Sequence, residues 1–237
     1  MDDPGQPTST PASRLVLASA SPRRRRLLAW LEVPFETASV DTPEELDHPL
    51  AERPSELATH LAVEKAEAAR ECALSDGALV LTFDTIVVHE GAVLGKPRDL
   101  ADAWRMLRSL SGRTHQVVTG VAMLCPGDAL PRTFSVTTNV RMKALDDKQI
   151  EAWMASGEFM GCAGAYNIEG QVAEVTDTEC YQNVAGMPLC HLYAALTGPE
   201  MPPCAQRPQP PIAACNQALS RDCRLGPAVI GTSGPTG

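Results

Sequence analysis

Aromatic side chains are scarce in this chain: Trp, Tyr and Phe together make up 4% of its 237 residues. Proteins that hold single-stranded nucleic acid stack its bases on aromatics set in a basic groove, and the shortage of both argues against that class. Positive charge is short as well, with 20 Lys and Arg against 29 Asp and Glu, a net charge of −9 and a pI near 5.0. Duplex binding needs a broad Lys/Arg surface, so no nucleic-acid partner is expected and any basic site must be local. No apolar run approaches the roughly 18 residues of a membrane span, and the polar, acidic start MDDPGQPTSTPAS lacks the basic-then-apolar layout of a secretory signal. A cytoplasmic protein with no membrane partner is the expectation. The eight cysteines include no CxxC pair, which fits reduced thiols better than a disulfide framework.

What is present is enough apolar material, 44% of the chain, to bury a core without staples. Residues 1–12 read as a disordered lead-in, 13–197 as the folded unit, and the proline-rich 198–237 as a loose tail with a short helix around Ile212 to Leu219. Within the unit, Leu15 to Ala18 is a buried-type strand. Ser21 suits an N-cap and Pro22 the first position of a helix to about Leu31. A second helix covers Ser55 to Cys72. ALVLTF at 78–83 is a strand, and the following segment turns as a hairpin at Glu90-Gly91. Asp99 and Asp146 cap two further helices, with strands at 115–125 and 132–142 between them, a strand near Val172 to Thr176 and a helix after Pro188. Strands and helices interleave, yet several strands meet through hairpins. The fold class is therefore α/β, a mixed sheet flanked by helices.

The run SASPRRRRLL holds the first candidate site. A strand, a tight Ser-Ala-Ser turn and a helix N-terminus aim unsatisfied N–H groups at one point, and Ser19 and Ser21 add hydroxyls. Arginines in a first helical turn oppose the dipole, so Arg23 and Arg24 call for an anion there, a phosphate chain above all; the alternative is a solvated basic turn. Arg25 and Arg26 fall on other faces and read as surface. Lys65 stands on the apolar stripe Ala58, Leu61, Ala62, Ala69, where it either snorkels to the rim or faces an anionic ligand. Asp84 follows ALVLTF at a strand end, placed to hold a divalent metal or activate water, or else to cap the next turn. Lys96 lies in a turn stiffened by Pro97. Cys190, just ahead of the tail and beside His191, and Cys204, Cys215 and Cys223 within it are either zinc or iron–sulfur ligands or free thiols; their spacing fits no familiar knuckle.

Seven segments, SASPRRRRLL, VEKA, FDTIVV, GKPRD, SGRTHQVVTGV, CAGAYNIEG and NVAGMPL, stand in the order and approximate spacing of the Maf family of nucleoside triphosphate pyrophosphatases. The chain resembles that family over about residues 14 to 196. The resemblance implies a Maf-like fold related to the inosine triphosphate pyrophosphatases, with a substrate cleft, and a homodimer as a frequent assembly. It implies hydrolysis of a nucleoside triphosphate to the monophosphate and pyrophosphate with Mg²⁺ or Mn²⁺, a nucleotide-pool house-cleaning reaction. By motif position Asp84, Lys65 and Lys96 look like the catalytic set, and Ser19, Arg23 and Arg24 like the phosphate-binding set. Thr85 and Glu169, with Arg23, match positions tied to choice of base. Cys162 and Glu169 look like the branch acting on 7-methyl-GTP, whereas Arg23 and Asp84-Thr85 look like the branch acting on dTTP and UTP. The loop Val40-Asp41-Thr42 lacks the family's following glutamate, leaving Glu44 or Glu45 as replacement metal ligands. The family's link to septum formation leaves a second reading, a nucleotide-binding regulator of division without turnover.

Overall fold

The longest strand, Ala78–His89 (β3), organises the structure, a computed structural model that describes residues 14–40, 42–43, 45–71, 76–199, 201 and 206–231. On one side β3 pairs in parallel with Arg14–Ala18 (β1), which itself pairs in parallel with Glu36–Ala38 (β2). On the other side it runs antiparallel to Thr114–Leu124 (β5), followed by Arg132–Met142 (β6) and the two-residue Ala173–Glu174 (β7). Ala92–Leu94 (β4) folds back on the end of β3 through the expected turn at Glu90-Gly91, where both residues have positive φ. The sheet is mixed, in the order β2-β1-β3-β5-β6-β7 with β4 on β3. No helix among the described residues is long and apolar enough to cross a membrane.

Strand periodicity divides the core. Leu79, Leu81, Phe83 and Val87 point to the face covered by Pro22–Leu28 (α1), Leu100–Leu110 (α3), Asp147–Ala155 (α4) and Leu189–Leu196 (α6). Val80, Ile86 and Val88 point to the other face, under Pro54–Arg70 (α2). That helix lies very close to the sheet because its buried stripe is rich in alanine: Ala58, Ala62, Ala66 and Ala69 are all fully buried. Gly120 of β5 makes the closest approach, since a Cβ there would stand 2.1 Å from the carbonyl oxygen of Ala58. Asp99 and Asp146 cap α3 and α4 as their spacing predicts, the second through a reciprocal capping box with Gln149.

Two expectations are corrected. Asp84 does not end a strand but sits inside the twelve-residue β3. The partner strand β1 is what ends: Leu17 pairs with Leu81 and Ala18 is its last residue, so Asp84 lies just beyond the carboxyl end of the parallel part of the sheet. The tail, read as loose, packs on the folded unit as far as it is described. Ile212–Leu219 (α7) forms where expected, and a further helix, Leu225–Ile230 (α8), follows it and packs on α6. The Gln209 amide donates to the Leu31 carbonyl at 2.8 Å, Arg224 pairs with Asp177 at 2.9 Å, and Cys215 is buried. The lead-in at 1–12 lies outside the described residues.

Candidate active site

Where β1 stops, a cleft of about 490 Å³ opens beside β3. Its first wall is the turn into α1. Ser21 caps the helix by accepting from the Arg24 amide at 3.4 Å, and the Ser21 amide donates to Ser19 Oγ at 3.3 Å. No acidic residue balances the first turn, so Arg23 and Arg24 bring two cations to a helix end that already favours anions. Arg24 is held firmly: its Nε donates to the Gly186 carbonyl at 3.0 Å, its Nη2 to Thr85 Oγ1 at 3.1 Å, its Nη1 reaches Ser19 Oγ at 3.5 Å, and its guanidinium lies 5.5 Å from the centre of the Phe83 ring. Arg23 crosses to the far wall, donating to Cys162 Sγ at 3.1 Å.

The floor is Asp84, its side chain 3% exposed and in a hydrogen-bonded ion pair with Lys65 from α2. Strand alternation puts Asp84 on the α2 face and Thr85 on the α1 face, so the cleft draws on both sides of β3 at the point where β1 no longer covers it. Gly120 is the cross-strand partner of Asp84 and permits the close seat of α2 that brings Lys65 down to the carboxylate. Lys65 does not run out to the rim: its ammonium pairs with the Asp84 carboxylate inside the cleft. Lys96, in the turn after β4, completes the rim.

Ser19, Arg23, Arg24, Lys65, Asp84, Thr85 and Lys96 thus line one cavity. Glu169 does not join them. Its carboxylate pairs with Arg26 on the outside of α1, and Asn167, two residues earlier, lines the cleft instead. Arg26, read as plain surface, therefore has a partner. Of the loop residues considered for metal, Glu45 is exposed and away from the lining, while Glu44 and Asp41 lie outside the described residues. Among the described residues no three His, Cys, Asp or Glu side chains are grouped to hold an ion. A hard cation shared between one carboxylate and substrate phosphates needs no such cage, and the buried Asp84 carboxylate suits that arrangement.

Tyr166 and Asn167 are wall residues that the reading of single residues missed, although CAGAYNIEG contains them. The Tyr166 hydroxyl and His115 Nε2 share a 2.6 Å hydrogen bond in the core. Burial pushes the His115 imidazole down to about 4, with His89 adding to the effect, and pushes the Tyr166 phenol well up. Both groups are neutral near pH 7, so the charge in the cleft comes from the lysines, the arginines and Asp84.

The profile of the family described as Maf-like protein matches residues 14–198. A protein of Xanthomonas euvesicatoria pv. vesicatoria named dTTP/UTP pyrophosphatase is 45% identical over 187 residues, covering 77% of this chain and 97% of its own. Proteins of the same name from Geobacter sulfurreducens and Syntrophotalea carbinolica are 44% and 40% identical over 190 and 198 residues. These alignments cover 76% and 83% of this chain, and 93% and 89% of the relatives. The helices α7 and α8 lie beyond the matched range.

Proposed function

Because the chain belongs to the Maf-like protein family, we propose that its cleft takes dTTP and UTP as substrates, with Asp84 and Lys65 at the centre of the chemistry. The chain is a nucleoside triphosphate pyrophosphatase: it hydrolyses the α–β phosphoanhydride and releases the nucleoside monophosphate and pyrophosphate. Its role is to remove surplus or non-standard nucleotides from the pool. One observation carries the assignment of the site, the buried Lys65–Asp84 pair at the floor of a cleft whose other walls supply Arg23, Arg24 and Lys96.

Phosphoryl cleavage needs an oriented water and neutralised oxygens more than covalent help. Arg24, fixed on three sides, binds phosphate oxygens alongside Ser19 and the α1 N-terminus, and Arg23 and Lys96 close on the chain from opposite walls. Asp84, oriented by Lys65, accepts the proton of the attacking water. Mg²⁺ or Mn²⁺ fits the Asp84 carboxylate together with the substrate phosphates; when bound it supplies charge neutralisation and a more acidic water. For the base, Arg23, Thr85 and Cys162 stand in the cleft and Glu169 is paired outside it; the dTTP/UTP branch is favoured over 7-methyl-GTP by the relatives' names together with the displacement of Glu169.

The test is pyrophosphate release from dTTP, UTP, CTP, GTP, 7-methyl-GTP and 5-methyl-UTP with Mg²⁺ or Mn²⁺, using Asp84→Asn as control. Turnover of dTTP and UTP that the substitution abolishes is expected. Preference for 7-methyl-GTP would return the base assignment to Glu169 and Cys162. Binding without turnover in the unaltered protein would move the reading to a regulator.

A further inference from the structure

The grip on Arg24 continues past the cleft into the core. Thr85 Oγ1, which accepts from Arg24, lies 3.0 Å from Thr119 Oγ1 of the facing strand, and the two residues are direct cross-strand partners. Thr119 Oγ1 in turn donates to the Asn183 carbonyl at 3.1 Å. Asn183 belongs to the short helix Tyr181–Val184 (α5). Its side-chain amide reaches the Val117 carbonyl at 3.1 Å, the Val136 carbonyl at 3.0 Å and Thr138 Oγ1 at 3.1 Å. Thr119, Thr138 and Asn183 are fully buried.

A hydroxyl has one proton, which sets the direction of the chain. With the Thr119 proton on the Asn183 carbonyl, Thr85 is the donor between the two threonines. With that proton committed, the lone pairs of Thr85 face Arg24, whose guanidinium only donates. The order Arg24 to Thr85 to Thr119 to Asn183 is the one that gives both threonine protons an acceptor within the protein. The second hold on Arg24, the Gly186 carbonyl, belongs to the segment that follows α5, where Gly186 has φ +93°. Both lines of restraint therefore end on α5 and the turn after it, and α5 is pinned to β5 and β6 through Asn183.

We propose that Thr119 is a positioning residue for Arg24: it makes Thr85 an obligate acceptor and so sets the guanidinium plane that meets the phosphate chain. The proposal rests on the cleft being a nucleotide site and deepens that reading, since nothing in Thr119 touches substrate. Its oxygen and those of Thr85 and Gly186 are uncharged acceptors, which orient the cation without neutralising it. Loss of the hydroxyl leaves the Thr85 proton without its acceptor and free to turn toward Arg24, where it meets a donor.

The test is a double-mutant cycle with the full chain, measuring calorimetric binding of inorganic triphosphate and of dTTP together with steady-state turnover. Thr119→Val removes the hydroxyl at constant shape and is expected to weaken triphosphate binding about tenfold and raise KM by a similar factor, with kcat changed about threefold or less. Thr119→Ser, which keeps the hydroxyl, should restore both to near the original. In an Arg24→Ala background, Thr119→Val should cost nothing further. Binding unchanged in Thr119→Val, or an equal loss in the Arg24→Ala background, overturns the proposal; so does failure of Thr119→Ser to rescue. If Thr119→Val does not fold, as judged by its melting transition, Thr119→Ala carries the same comparison. A chain that binds triphosphate with this pattern but turns nothing over supports the positioning role and refutes the hydrolase reading, so the two failures are distinct.

Discussion

The cleft and a second, much smaller cavity share the segment around α5, and their contents differ in kind. Val184, Ala185 and Gly186 face the 490 Å³ cleft with its lysines, arginines and Asp84. Cys180, Tyr181 and Gln182 face a cavity of about 20 Å³ closed over by α7 and α8, into which Cys180, Cys190, Cys215 and Cys223 converge. Of the four thiols proposed as soft-metal ligands, Cys190, Cys215 and Cys223 meet here with Cys180, while Cys204 lies outside the described residues, and among the described residues no three His, Cys, Asp or Glu side chains are grouped to hold an ion. Burial pushes the Cys180 and Cys190 thiols up to about 12, so they are neutral and pack as small apolar groups. Convergence of reactive residue types is thus a poor guide to chemistry. The cleft is a site because its charges are paired, braced and open to a ligand, whereas the small cavity holds its buried thiols as neutral groups that are part of the packing.

The sharpest way to break that contrast is at two glycines. Gly120→Ala would drive a Cβ into the α2 backbone at 2.1 Å from the Ala58 carbonyl, where nothing can swing aside; a loss of about 4 kcal/mol or more is expected in urea unfolding. Gly226→Ala, in the thiol cavity, meets only Ile212 Cγ1 at 3.1 Å and Cys190 Sγ at 3.2 Å, side-chain atoms that can give, and should stay within about 1 kcal/mol. Equal effects would mean that the cleft side is no more tightly determined than the tail side. Acid should act on the core through His115. The folded His115 value near 4 is below its ordinary 6.5, so its neutral form stabilises the fold fully above pH 6.5, and that stability drains away as pH falls from 6.5 toward 4, by about 3 kcal/mol. His115→Gln should flatten the slope of stability against pH across that interval, and an unchanged slope would exonerate His115. The smallest effect is a labelling pattern. With iodoacetamide at pH 8, Cys180 and Cys190 should stay unmodified in the native protein while the half-buried Cys223 reacts before them, as peptide mapping would read.

The cap residues, the β-hairpin at Glu90-Gly91 and the phosphate-binding turn were legible because each is a local device: Ser21, Asp99 and Asp146 bond within three residues of themselves. Asp84 looked like a strand end because a carboxylate interrupts an apolar run. The strand continues because Lys65, nineteen positions away, meets that charge, and no local pattern encodes the meeting. Glu169 stands apart from the cleft lining for a related reason, since its carboxylate pairs with Arg26 of the neighbouring basic helix. The tail misled because proline content stood for looseness, while the features that seat it are tertiary: the Leu31 carbonyl, Asp177 and the small Gly226 against Cys190.

Asp84 is the proposed centre of the chemistry, and one paired measurement tests that role: binding of a non-hydrolysable dTTP analogue and single-turnover cleavage of dTTP, both in Asp84→Asn. Binding within about threefold of the unaltered protein, with cleavage slowed at least about a hundredfold, is the predicted result. Cleavage near the original rate would remove Asp84 from the chemistry, and parallel loss of binding and folding stability would make the Lys65–Asp84 pair a structural bridge rather than the reacting centre.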